Sequence, residues 1–320
     1  LNLFEIENIT GSNTGDDTIT GNNNSNILKG LGGADTINGG AGADKITFTS
    51  ITDSSGDIVD GEANSDTVDY SALADGVIIR LMGATDSNVQ LGTVANNHVI
   101  KNIENVTGGA GNDTFTGNDN SNILTGGTGD DYFYVKDAAI SGENDVIIGG
   151  TGSDTVDFSQ ITNPNYFVDV DLSLQKLLLK DSSNSNAIVR NDNVSEIENI
   201  TGTNNKDTIK GDASNNSING AAGTDSIYGL AGDDIIQGGD NTDNATTSTQ
   251  YEILDGGEGS DTLTLSKDIA SYTITYNAAT QTFSIKDGSE TSTFKNIEKI
   301  VANSISYNLV KAVSNSASTL

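Results

Sequence analysis

Large apolar side chains return every nine residues through much of this chain, as at Ile19, Leu28, Ile37 and Ile46. Two places before each stands an acid or an amide, here Asp17, Asn26, Asp35 and Asp44, with glycines clustered ahead of it. The unit reads Gly-Gly-x-Gly-x-Asp-x-U-x, where U is a large apolar residue. Full copies begin at Gly39, Gly108, Gly126, Gly149 and Gly256. One inward residue in nine matches neither the period of a helix nor that of a long strand. It predicts a six-residue turn followed by a very short strand, with glycines at the first, second and fourth positions supplying backbone angles closed to other residues. Two such units make one coil of a flattened parallel solenoid, and stacked coils bury the U residues as a narrow ladder. No helix is predicted.

Following the sixth position gives three arrays. The first runs Asp17, Asn26, Asp35, Asp44 and, after a four-residue insertion, Asp57 and Asp66. The second runs Asp113, Asn122, Asp131 and, after five extra residues, Asp145 and Asp154. The third reads Asp207, Asn216, Asp225, Asp234, Asp243, a degenerate Glu252, and Asp261. A longer period lies on top: the string IENITG starts at Ile6 and Ile197, IENVTG at Ile103 and a decayed IEKIVA at Ile297. Between the arrays the pattern alternates in period two, as at Tyr272, Ile274, Tyr276 and then Phe283, Ile285 across an Asn277-Ala278-Ala279 turn. Such stretches predict β-hairpins or meanders covering array ends. The expected organisation is array one with its leading strand over 1–71, an insert over 72–107, array two over 108–159, an insert over 160–201 and array three over 202–266. A β cap over 267–301 and a tail over 302–320 complete it. The expected class is all-β: tandem parallel β-rolls separated by antiparallel inserts.

Charge narrows the chemistry. The 320 residues carry 15 Lys and Arg against 45 Asp and Glu, a net charge of −30, which repels nucleic acid and anionic membrane. The chain has no cysteine, so disulfides, thiol catalysis and Cys-ligated zinc are excluded. The lone histidine, His98, cannot build a His-x-x-x-His zinc site and reads as a solvated loop residue. No apolar run approaches the roughly 18 to 20 residues that span a bilayer. The chain begins in mid-pattern at Leu1, as a fragment of a longer protein would. No catalytic constellation is apparent, so a non-enzymatic role is expected.

Sixth-position residues two units apart share an edge one coil apart, as with Asp17 and Asp35, Asp113 and Asp131, or Asp225 and Asp243. Coils about 4.8 Å apart would set these carboxylates against one another at a cost of about 1 kcal/mol per pair in water and about 4 near a protein surface. A cation between turns reverses the sign. Calcium takes 6 to 8 oxygens at about 2.3 to 2.6 Å, so ligands on opposite sides of one ion match the coil spacing. Magnesium demands shorter, near-octahedral contacts, and transition metals want imidazole or thiolate. Calcium is therefore the expected cofactor, as several ions.

The nonapeptide resembles the calcium-binding signature of the repeats-in-toxin (RTX) proteins. That resemblance implies a parallel β-roll whose ions are held by sixth-position carboxylates and turn carbonyls. By the resemblance the carboxylate role falls on Asp17, Asp35, Asp44, Asp57, Asp66, Asp113, Asp131, Asp145, Asp154, Asp207, Asp225, Asp234, Asp243 and Asp261. The carbonyl role falls on glycines of the full copies: Gly39, Gly40 and Gly42, Gly108, Gly109 and Gly111, Gly126, Gly127 and Gly129, Gly149, Gly150 and Gly152, and Gly256, Gly257 and Gly259. Asn26, Asn122 and Asn216 depart from the pattern and give either weak sites or a metal-free amide ladder. The Asn-x-Ser/Thr triplets at Asn8, Asn105 and Asn199 read as strand packing rather than glycosylation. The Ser/Asn/Thr-rich tail resembles the uncleaved export signal that RTX proteins present to a type I secretion channel. The first functional reading is thus the calcium-binding region of a secreted bacterial surface protein, an S-layer or adhesin, folding on calcium after export. Its expected partners are calcium, the channel during export, and neighbouring copies or surface polysaccharide. The alternatives are the secretion and folding module of an RTX enzyme, such as a protease, lipase or polysaccharide-modifying enzyme, and a carbohydrate- or protein-binding module.

Overall fold

The computed structural model describes residues 6–50, 56–137, 144–239, 252–287 and 290–309. Among them there is no α-helix, only three 3-10 turns, at Leu172–Leu174, Ser182–Asn184 and Ile269–Ser271. The described residues are otherwise short strands and turns, as the nine-residue pattern requires. Clustering of contacts divides the chain into two units, Leu1–Thr155 with Asp192–Ile197, and Val156–Asn191 with Glu198–Leu320.

In the first unit one sheet stacks Asn8–Thr10, Ile27–Lys29, Lys45–Thr47, Thr67–Asp69, Asn105–Thr107, Ile123–Thr128 and Val146–Thr151, all parallel. Its U residues meet in register as Leu28, Ile46, Val68, Val106, Leu124 and Ile147, each at most 2% exposed. The facing sheet stacks Thr18–Thr20, Thr36–Ala41 and Asp57–Ala63, and further on Thr114–Thr116 and Tyr132–Lys136, again in parallel.

The insert joins this second sheet. Val94–Lys101 pairs parallel with Asp57–Ala63, turns back antiparallel through Ser87–Leu91 to Val77–Arg80, and that strand pairs parallel with Thr114–Thr116. On the opposite sheet Thr67–Asp69 pairs directly with Asn105–Thr107. One face therefore gains three strands where the other gains none, each strand occupying about 4.8 Å. Larger side chains fill the widened interior there: Phe48, Tyr70, Leu73, Leu81 and Leu91 are buried, with Phe48 and Tyr70 stacked at 4.9 Å. The insert extends the stack rather than lidding it.

The second unit repeats the scheme. Thr208–Lys210, Ser226–Ala231 and Ile253–Glu258 stack parallel, flanked by the hairpin Tyr166–Asp171 with Lys176–Asp181 and by the antiparallel strands Thr273–Asn277, Thr282–Asp287 and Glu290–Lys295. Tyr276 and Ile274 pair with Phe283 and Ile285 across the expected turn. Facing them are Asn199–Thr201, Ser217–Asn219, Ile235–Gln237, Thr262–Leu265 and Lys299–Ala302 in parallel, then Ile305–Asn308 antiparallel. The start of the 302–320 tail is thus a sheet strand, and residues 310–320 lie outside the described ones.

Candidate metal centre

The turns present the sixth-position side chains as ladders along the edges. The backbone N–H of Asp17 donates to Oδ1 of Asp35 at 2.8 Å, and that of Asp35 to Oδ1 of Asp57 at 2.8 Å. On the other edge the Asn26 N–H donates to Asp44 and the Asp44 N–H to Asp66. The second array repeats this from Asp113 to Asp131 to Asp154, and from Asn122 to Asp145. The third runs from Asp207 to Asp225, and from Asn216 to Asp234 to Asp261. The backbone also bonds the other way: the residue after each later carboxylate donates to the earlier one's carbonyl, as Thr36 does to Asp17 at 2.8 Å.

These bonds occupy only one carboxylate oxygen. The Oδ2 atoms of Asp35, Asp44, Asp66, Asp131, Asp234 and Asp261 are buried with no hydrogen-bond partner. Each of these side chains is at most 1% exposed. An orphaned carboxylate oxygen out of water costs several kcal/mol unless charge or a proton reaches it. Burial accordingly pushes Asp66, Asp131 and Asp207 up to about 7, and Asp113 and Asp234 up to about 6. Asp35, Asp44 and Asp261 are raised by the same cause. The N–H bonds pull the other way, and neighbouring carboxylates add to the rise at Asp66 and Asp131.

The first carboxylate of each array behaves differently. Asp113 accepts from Val77 N–H on Oδ1 and from Gly109 N–H on Oδ2, and Asp207 accepts from Val168 and Thr203 in the same way. Asp17 turns Oδ2 to the Ser12 N–H at 2.5 Å. The three asparagines are likewise satisfied within the protein. Asn122 accepts from Asn118 N–H at 2.8 Å and donates to the Glu104 carbonyl at 2.9 Å, and Asn26 and Asn216 do the same against Ile6 and Glu198.

Glycine at the unit's first position follows from this packing. A Cβ on Gly39 would lie 2.5 Å from Oδ2 of Asp44 and 2.8 Å from the Gly61 carbonyl. Gly108, Gly126, Gly149 and Gly256 stand over Asp113, Asp131, Asp154 and Asp261 in the same way. Gly40, Gly42, Gly127, Gly129, Gly150, Gly152, Gly257 and Gly259 all have positive φ. Gly109 and Gly111 do not; they press against the backbone of Leu73 and Gly76. Corresponding turns face carbonyl to glycine, as where the Gly111 carbonyl oxygen lies 2.6 Å from the Cβ position of Gly129. Among the described residues no three acidic or imidazole side chains converge on one point. The oxygens on offer at the edges, unpartnered carboxylate Oδ2 atoms and turn carbonyls, are all hard, which suits calcium and no softer ion.

Several ladder members escaped the sequence. Glu104 and Glu298, in the IEN and IEK strings, stand two places before the buried Val106 and Ile300 as a sixth-position residue does, and their Oε2 atoms accept the N–H groups of Asp66 and Asp261 at 3.0 Å. Asp192, fully buried, follows Asp145. The coil after Asp225 is built by Glu252, because Ser226 pairs with Ile253; Asp243 lies outside the described residues. His98 is not a solvated loop residue. It is 0% exposed, in register with Asp57, with Nδ1 3.3 Å from Asp57 Oδ2 and its ring 4.3 Å from that of Phe48. It holds the sixth position of the coil that the insert builds.

The family model of the RTX calcium-binding nonapeptide repeat matches residues 12–46, 102–134, 141–159, 201–236 and 219–248. No curated protein matches the chain. Among solved structures, the extracellular lipase LipA from Serratia marcescens is similar at 19% identity over 62% of this chain, with a TM-score of 0.23. The match takes in 42% of the lipase, so the chain spans less than half of that protein's length. Stacked parallel coils, edge ladders of buried carboxylates and the matched repeats lead to one assignment: the arrays of this chain are RTX calcium-binding nonapeptide repeats, folded as a β-roll.

Proposed function

We propose that this chain is the calcium-folded region of a secreted bacterial surface structural protein, of the S-layer or adhesin kind, without catalytic activity of its own. The observation that carries it is the set of buried, unpartnered Oδ2 atoms on the array edges. At neutral pH these carboxylates oppose the compact form, and with a net charge of −30 the metal-free chain tends to expand. Bound calcium supplies the positive charge that the turns lack, so binding energy becomes folding energy. The sixth-position Asp residues hold it with their free carboxylate oxygens, and the turn glycines with their carbonyls. Free calcium outside a cell reaches the about 10⁻⁴ to 10⁻³ M range in which extracellular sites work. Folding after export follows. The threefold recurrence of array and insert supports a structural role, since the inserts lengthen the stack.

The test is circular dichroism of the full chain in chelator, then with millimolar calcium or magnesium. Strand signal should appear with calcium and not with equal magnesium, and a spectrum indifferent to chelator would sink the calcium reading. Antibody labelling of intact source cells, lost on chelation, tests the surface role. A catalytic domain encoded upstream in the same gene would assign the region to an enzyme instead.

A further inference from the structure

A cleft of about 320 Å³ opens in the first unit between Arg80, Met82, Asn118, Asp119, Asn120 and Lys136. Parallel stacking gathers these residues from distant stretches of chain: Arg80 lies opposite Thr116, Thr116 opposite Tyr134, and Lys136 ends that same strand. Two cations in one cleft are unusual in a chain with 15 of them against 45 acids. Lys45, Lys101, Lys180, Lys210 and Lys295 are each bound to an aspartate. Arg80 and Lys136 form no ion pair among the described residues.

A third donor lines the cleft. Asn118 is 7% exposed, its Oδ1 accepts from Asn120 N–H at 2.7 Å and from Asn122 Nδ2 at 3.3 Å, and its Nδ2 is buried without a partner. A buried amide N–H₂ with nothing to donate to is a cost that a ligand acceptor would remove. Asp119 and Asn120 are exposed at the rim, where they can accept hydroxyl hydrogens. Met82, 46% exposed, offers an apolar flank.

We propose that this cleft binds an acidic sugar unit. Its carboxylate lies between the Arg80 guanidinium and the Lys136 ammonium, an oxygen accepts from Asn118 Nδ2, hydroxyls donate to Asp119 and Asn120, and a C–H face rests on Met82. Asp119 and the net charge disfavour a phosphate or a nucleic acid, whereas a single negative charge flanked by hydroxyls matches both the cations and the carboxylate. The site is independent of the surface role, needing only the folded first unit.

The test is calorimetric titration of the full chain, folded in calcium, with sodium glucuronate, glucose and sodium sulfate. Glucuronate should bind saturably, with glucose and sulfate each weaker by about ten-fold or more. Arg80→Gln, Lys136→Gln and Met82→Ser should each weaken glucuronate, the first two by about ten-fold, with calcium-induced folding unchanged. Absent saturation, equal binding of sulfate, or full affinity in both charge variants would overturn the proposal. Glucuronate shifts in the NMR spectrum that map away from Met82 and Asn118 would overturn it as well.

Discussion

The ammonium of Lys101 stands 2.9 Å from Oδ2 of Asp60. The next residue, Asn102, donates its Nδ2 to the other oxygen of the same carboxylate at 2.7 Å. The pair recurs in the second unit, with Lys295 at 2.8 Å and Asn296 at 2.7 Å on Asp255. Two residues on, Glu104 and Glu298 take the N–H of the last array carboxylate on that edge. Lys-Asn-Ile-Glu is thus a four-residue clasp fixing an insert to an array with no ion involved. Asn102 and Asn296 hold left-handed angles, φ 51° and 52°, which asparagine tolerates better than most residues. Burial works to raise the Asp60 carboxyl, but the bonds from Lys101 and Asn102 outweigh it and hold the group below its usual value.

The clasp predicts a graded response at Glu298. Glu298→Ala leaves the Asp261 N–H without its acceptor and should destabilise the calcium-loaded fold by about 1 to 3 kcal/mol. Glu298→Gln keeps an amide oxygen in place and should recover most of that loss. Urea unfolding in saturating calcium reads both, and equal losses would show that the accepting oxygen is not what matters.

Asp131 and Asp113 should not be equivalent. Both oxygens of Asp113 accept backbone N–H groups, whereas Oδ2 of Asp131 has no partner. Asp131→Asn should therefore weaken calcium binding by the second array more than Asp113→Asn, and Asn122→Ala least. The Asp113 and Asp131 losses should be less than additive, since the two face one another along one edge. Calcium titration calorimetry of the full chain measures this, and a dominant loss at Asn122 would show the edge assignment to be wrong.

Acid should help the metal-free chain. The folded-state values of Asp66, Asp131 and Asp207, about 7, lie above the ordinary 3.8, so folding takes up protons between those limits. Their contribution is unfavourable well above pH 7, shifts toward the fold as pH falls through about 7, and is complete below about 3.8. In chelator, strand signal should be greater at about pH 5.5 than at about pH 8, and no more calcium should be needed for half-folding at the lower pH. Less structure at the lower pH would contradict the burial of these groups.

Gly126 and Gly83 separate space from backbone conformation. A Cβ at Gly126 meets Oδ2 of Asp131 and lies 2.5 Å from the Gly149 carbonyl, so Gly126→Ala should abolish calcium-induced folding of that array. Gly83, at φ +59° with nothing within 4 Å, has room, so Gly83→Ala should cost only about 1 to 2 kcal/mol. Thermal melts in calcium distinguish the two.

The nine-residue period made much of this legible. It places Leu28, Ile46 and Val68 in one ladder, and Asp17 with Asp35 on one edge, wherever units follow without interruption. It fails where the chain leaves the period and the stack does not. His98 and Asp192 take sixth positions in strands of the inserts, with no Gly-Gly-x-Gly before them. Counting by nine carries Asp225 to Asp243, but the N–H of Asp234 bonds to Asp261 across 27 residues, so the count of nine does not hold between them. The glutamates of the IEN strings were readable in principle. Glu104 precedes the buried Val106 by the same two places that separate Asp17 from Ile19. No Gly-Gly-x-Gly precedes them, so the nine-residue signature does not mark them.

The edge ladder has a direction. The N–H groups along it reach a carboxylate further along the chain: Asp17 to Asp35, Asp35 to Asp57, Asp44 to Asp66, Asp66 to Glu104. A coil made first from the N-terminal side would leave its turn donor with nothing to meet, whereas a coil laid against a finished C-terminal neighbour finds its acceptor already fixed. On these side-chain bonds alone, growth of an array is expected to run backwards, from the Ile-Glu string after it toward its first glycine turn. A chain emerging C-terminus first could seed such growth while the rest was still unfolded; one emerging N-terminus first would have to wait.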